Sequence, residues 1–234
     1  KLTHASFIKR LECRNRSVRK AAFDAYYAEY KGNRVTIAAT LDGAVKSHIF
    51  EARARNYGSA LEAALFGDNV QPAVYHALIE AVHEALPAFY RYMALRKRLL
   101  GLDALHLYDA YVPAIPEVEL RYDYDEAVEL VCRGVAPLGE EYVETVRRGC
   151  TVDRWVDVYP NRGKQGGAFS SGAPGTHPFI MMSYTDEVFS MSTLAHELGH
   201  SMHSYLTWQH QPVLYAEYGM FVAETAPNFH QAMV

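Results

Sequence analysis

Ser192-Thr193-Leu194-Ala195-His196-Glu197-Leu198-Gly199-His200-Ser201-Met202-His203 is the stretch from which the rest of the chain is read. As a helix, it brings His196 and His200 onto one face, one turn apart, with Glu197 beside them. Two imidazoles on one face can share a metal ion, leaving room for a third protein ligand and a water. A glutamate directly after the first ligand stands where it can take that water's proton. The plainer alternative is an amphipathic helix whose histidines pack or face water.

A catalytic zinc site needs a third ligand, so the chain is searched for one. The spacing that would supply a third histidine wants glycine and then histidine where this chain has His203 and Leu206, which excludes that arrangement. A glutamate further on is the other common solution, and Glu217 and Glu224 compete. Glu224 is favoured, because Asn228 falls four residues later on the same helical face and can orient a neighbouring ligand. A surface carboxylate is the alternative for Glu224. His203 shares the face of His196 and His200 and reads as a neighbour of the site, since a fourth protein ligand would close the position that water needs. His177 follows a glycine-rich stretch, where it either contacts substrate or is structural.

Outward from this core, composition sets bounds. The 234 residues are 50% hydrophobic and 21% charged, the profile of a soluble globular chain with length enough for a substantial core. A net charge of -4 leaves no electrostatic footprint for nucleic acid. Cys13, Cys132 and Cys150 are widely spaced and form no Cys-x-x-Cys pair, which favours a reducing compartment over a disulfide scaffold. No apolar run could span a bilayer, so no membrane partner is expected.

The first two thirds read as helical. From residue 14 to about 65 the apolar residues recur at helix spacing, with Gly32-Asn33 as a break and Gly67-Asp68-Asn69 as an end. Pro72 opens a further helix, which Pro87 would kink. Arg91, Arg96, Lys97 and Arg98 read as a solvated face. Residues 108–116 form a proline-punctuated connection, and Asp123 or Asp125 caps the helix after it. Another helix runs through Tyr142, Val143 and Val146 to a stop near Gly149. After Thr151 the texture changes. Arg154-Trp155-Val156-Asp157-Val158-Tyr159 and Phe179-Ile180-Met181-Met182-Ser183-Tyr184 read as strands flanking a glycine- and serine-rich loop. The chain is thus expected to be mainly α, one partial catalytic domain. Residues 1–150 form its helical part, and 151–234 hold a small sheet and the zinc-binding helices. A sheet edge beside a metal-bearing helix can hydrogen-bond an extended peptide. Gly167 and Ala168, in the glycine-rich loop, are further candidates for contacting substrate.

Several stretches together resemble oligoendopeptidase F, a branch of the thimet oligopeptidase-like zinc peptidases. They are Gly163-Lys164-Gln165-Gly166-Gly167-Ala168-Phe169-Ser170-Ser171-Gly172, Pro178-Phe179-Ile180-Met181-Met182, the His196 motif and Phe221-Val222-Ala223-Glu224. Ala54-Arg55-Asn56-Tyr57, Leu99-Leu100-Gly101-Leu102 and Tyr108-Asp109-Ala110-Tyr111-Val112-Pro113 are similar in order and spacing. The resemblance implies a helical zinc-peptidase fold with a cleft lined by a small sheet. It also implies Zn²⁺ on His196, His200 and Glu224, cleavage of short unstructured peptides, and a cytoplasmic location. Gln231 stands where members of that family often carry glutamate. Members are also much longer, and their catalytic region continues into helices that supply a His and Tyr residues to stabilise the tetrahedral intermediate. On that resemblance the chain is an excerpt, shortened at both ends, and the missing C-terminal segment is an expected partner. A carboxypeptidase on the same scaffold, or a helical module that binds peptide without cutting it, would carry the same pattern.

Overall fold

The computed structural model describes residues 4–114 and 120–234. Lys1, Leu2 and Thr3, and Ile115 and Pro116 of the proline-punctuated connection, lie outside the described residues. The fold is mainly helical with one small sheet, as the sequence predicts. The chain divides into two compact units, Lys1–Val118 and Glu119–Val234.

The first unit holds α1 (His4–Leu11), α2 (Arg16–Gly32), α3 (Arg34–Ala54), α4 (Ala60–Phe66) and α5 (Pro72–Leu99). The punctuation expected from sequence is where these helices begin and end. Asn15 caps α2 by accepting from the Ser17 N–H, Asn33 separates α2 from α3, and Pro72 is the first residue of α5. Proline suits that position, because its missing N–H would have no partner within the helix. Pro87 lies inside α5, which continues past it. Phe7, Leu11 and Ala22 form a small core, with the Phe7 ring stacked on Tyr26 at 4.0 Å. The apolar stripe of α3 and α5, by contrast, is largely exposed at Val35, Leu41, Phe50 and Leu78.

Polar contacts tie this unit together, and one of them corrects the reading of its basic run. Arg96 is buried, not solvated: its guanidinium donates to the carbonyls of Asp109 and Val112. Asp109 itself is fully buried. It accepts from Arg19 at 2.7 Å, from Arg16 at 3.0 Å and from the His106 N–H at 3.0 Å. Burial alone would raise the pKa of this carboxyl, but the bonds from Arg16 and Arg19 outweigh it and lower the value to about 2. Asp109→Asn, which leaves the buried Arg19 guanidinium without its carboxylate, is expected to cost about 3–5 kcal/mol. The native carboxyl titrates below its ordinary 3.8, so its contribution is complete above that value and fades as pH falls through about 2. Urea unfolding should therefore show a gap between native and variant that is wide at roughly pH 6 and narrower at roughly pH 3. A gap of equal size at both would refute the ion-pair account.

The second unit begins with α6 (Tyr124–Gly134) and α7 (Glu140–Cys150). Asp123 caps α6 through a reciprocal box with Glu126. α7 stops one residue past Gly149, which lies tight against the indole of Trp155, where a Cβ would have no room. The sheet is β1 (Val156–Asp157), β2 (Phe169–Ser171) and β3 (Phe179–Met181) in the order β1-β3-β2. β1 runs parallel to β3 with Val156 opposite Ile180, and β2 runs antiparallel with Ser170 opposite Ile180. β2 falls inside the glycine-rich stretch, where the sequence predicts only loop.

α8 (Val188–His210) follows, then α9 (Met220–Ala223) and α10 (Thr225–Met233). α8 buries Leu194, Ala195, Leu198, Ser201 and Met202, a stripe at helix spacing that joins Val128, Val131, Val146, Ile180 and Tyr184 in one core. That shared core places α6 and α7 with the sheet and α8, although their texture groups them with the helices before them. Among the described residues, no helix is long and apolar enough to cross a membrane.

Candidate metal centre

The stripe that anchors α8 turns its other side outward, and that side carries His196 and His200, both half-buried. Their rings meet edge to face with centroids 4.9 Å apart. Glu224 reaches the same point from the junction between α9 and α10. Its Oε2 lies 3.4 Å from His196 Nε2 and 3.7 Å from His200 Nε2. Among the described residues, His196, His200 and Glu224 form a group of potential ligand atoms within 4.8 Å of one another. Glu217, the competing candidate, lies in the irregular segment before α9 and is outside this group.

The donor set fits zinc. Atoms held tetrahedrally at about 2.0–2.1 Å from one ion are about 3.4 Å apart, close to both carboxylate–imidazole separations. The tautomer fits as well. His196 Nδ1 lies 2.9 Å from Gln231 Oε1, while the Gln231 amide nitrogen donates to Ser192 Oγ at 2.9 Å. An amide oriented by Ser192 presents its oxygen to the ring, so Nδ1 carries the proton and Nε2 keeps its lone pair. Gln231, where the resemblance leads one to expect glutamate, thus does this orienting as a neutral group. Burial lowers the pKa of His200 against the opposing pull of Glu224, which favours the neutral ring that coordination requires.

Glu197, on the same helix, is buried, 5% exposed. Its Oε2 has no hydrogen-bond partner, and the Ser170 backbone of β2 bonds its carboxyl. Desolvation raises its pKa, and Glu224 adds to this while His196 opposes it. A carboxyl so placed is a stronger base than a solvated one. β2 is also tied to α8 by Ser170 Oγ and Ser201 Oγ, 2.8 Å apart. Gly167, at φ +105°, and Ala168 share with Glu197 a cavity of about 370 Å³. A larger cavity of about 680 Å³, lined by residues 154–161, Phe169 and residues 179–181, contains none of the candidate residues.

The remaining candidates lie further from this chemistry. His203 stacks on Tyr218 at 3.9 Å and is outside the ligand group. Asn228 donates to the main-chain carbonyl of Glu224 at 2.7 Å, a bond that fixes the start of α10 rather than the Glu224 carboxylate. His177 packs on Phe179 at 4.3 Å and bonds the Pro178 carbonyl through Nδ1, a structural setting. Sequence reasoning missed two contributors. Ser192, which holds Gln231, carries no local signal. His230, buried in α10 and 2.5 Å from the Tyr142 hydroxyl, ties α10 to α7, and burial lowers its pKa.

Comparison with known proteins places the chain among relatives. The chain is 46% identical over 233 residues to the oligopeptidase PepF of Bacillus subtilis, covering 100% of this chain and 35% of that protein. It is 42% identical over 230 residues to the group B oligopeptidase PepB of Streptococcus agalactiae, 98% of this chain and 38% of that one. The chain thus spans little more than a third of the length of these relatives. The crystal structure of oligoendopeptidase-F from Enterococcus faecium superposes with a TM-score of 0.65 at 32% identity, over 100% of this chain and 34% of that one. PZ peptidase A, solved with an inhibitor, shares the fold at a TM-score of 0.81 and 17% identity, over 97% of this chain and 41% of that one. The profile of peptidase family M3 matches residues 10–234. A match that runs through both units and ends past the last of the clustered ligand groups makes this chain a member of peptidase family M3.

Proposed function

We propose that the protein is a zinc-dependent endopeptidase of short, unstructured peptides. The observation that carries this reading is the convergence of His196 Nε2, His200 Nε2 and Glu224 Oε2 beside the partnerless Oε2 of Glu197. His196, His200 and Glu224 hold the ion, which supplies Lewis acidity to the scissile carbonyl and acidifies water. Gln231 and Ser192 fix the His196 ring. Glu197 removes the proton of the attacking water and returns it to the departing amine nitrogen. β2 is an edge strand tied to α8 through Ser170 and Ser201 and can pair with an extended peptide, which favours unfolded substrates over folded ones. A cytoplasmic location is part of the proposal, supported by three cysteines that form no disulfide.

A peptide acetylated at its N-terminus and amidated at its C-terminus separates this reading from its rivals. The full-length protein with zinc should cut such a peptide at an internal bond, seen as two new masses. An exclusive C-terminal exopeptidase would leave it whole and trim only the unblocked form. Binding without either cleavage would mark a peptide-binding module.

A further inference from the structure

The cavity of about 370 Å³ beside Glu197 has walls from three elements: Ala168 ahead of β2, Met182 and Ser183 beyond β3, and Phe189 and Thr193 on α8. Its volume lies at the small end of ligand pockets, room for one side chain and its adjoining backbone. Thr193 Oγ1 already donates to the Phe189 carbonyl at 2.9 Å, and Ser190 Oγ lies 3.0 Å from Thr185 Oγ1. With those hydroxyls engaged, the wall offers mostly apolar surface. Phe189, 80% exposed, stands at its mouth as a large ring without cover. Among the described residues that line it, Glu197 is the one charged group and there is no Lys or Arg.

We infer that this cavity receives the side chain of the residue that follows the scissile bond, and that it selects an uncharged apolar or aromatic one. The inference rests on the proposed role of Glu197. The carboxyl that protonates the departing nitrogen must lie within hydrogen-bond reach of it, so the residue owning that nitrogen sits next to Glu197. The space adjoining Glu197 is therefore the space its side chain enters. An acidic side chain there would face the Glu197 carboxylate with no cation to offset it.

The test uses internally quenched peptides differing only in the residue after the cut: Ala, Leu, Phe, Asp or Lys. With full-length, zinc-loaded protein, kcat/KM for Leu and Phe should exceed that for Asp by about tenfold or more. Thr193→Leu, which fills the cavity, should lower kcat/KM for Phe far more than for Ala, so that the ratio of Phe to Ala falls. Phe189→Ala, an exposed change with little risk to folding, should weaken the preference for Phe as well. The affinities of the same peptides for Glu197→Gln protein, read by fluorescence anisotropy, follow selectivity without turnover. A flat series in both measurements, or one that neither cavity variant alters, overturns the assignment. Graded binding with no turnover by the native protein would overturn the peptidase reading and the assignment to the residue after the cut, leaving only a cavity that prefers uncharged side chains.

Discussion

Glu197→Gln is expected to fold normally, hold zinc as the native chain does, and lose turnover by about 10²–10⁴-fold. The substitution keeps shape and removes only the ability to take a proton. Its Oε2 has no partner to lose, and the bond from the Ser170 backbone can still be accepted by the amide oxygen, so the helix pays no packing penalty. Zinc retention follows because Glu197 is not among the clustered ligand atoms. Peptide affinity should change far less than kcat, since a general base contributes chiefly in the transition state. Native turnover by this variant would remove Glu197 from the chemistry.

Gly199→Ala should be the most damaging conservative change in the second unit. Alanine is the better helix former by about 1 kcal/mol, which alone would predict stabilisation. Packing decides otherwise. A Cβ at Gly199 would overlap the Cα of Pro227 and come within 2.8 Å of its nitrogen and 3.0 Å of the Ala226 carbonyl oxygen. These are backbone atoms and cannot swing aside, so α10 must move as a body. Overpacking of this kind costs about 1–3 kcal/mol. The functional effect should be larger than the loss of stability. Glu224 immediately precedes α10, so a shift of that helix carries Oε2 away from both imidazoles. A thermal melt together with chelator competition checks both parts: a lower Tm and weakened zinc binding are expected. Native values of both would show that α8 and α10 are not in the contact described.

The histidine pair was legible because a 3.6-residue period and the 196/200 spacing are local properties of one helix. So were the Asn33 break, the Pro72 start and the Asp123 cap, each settled within a few residues of chain. Glu224 was preferred to Glu217 on the helical spacing of Asn228 alone. Its approach to the histidines depends on how α10 packs on α8, with Gly199 against Pro227. What sequence missed is long-range. Gln231 meets His196 across 35 positions and Ser192 across 39. Arg96 reads as a surface cation because its run is charged, yet its partners lie on a turn 13 and 16 residues away. β2 is three residues among glycines and serines and exists because β3 pairs with it, not through its own propensity. Asn228 kept its predicted helical spacing from Glu224 but engages the carbonyl, since a side chain four residues on reaches the backbone of the preceding turn more readily than the end of a ligand.

Elemental analysis of the purified protein beside its Glu224→Ala variant tests the central claim most directly. The three-ligand site predicts about one zinc per chain in the native protein and its loss, or ready removal by chelator, in the variant. Equal zinc in both would mean that Glu224 holds no metal. A folded native protein that takes up no zinc would contradict the metal centre itself.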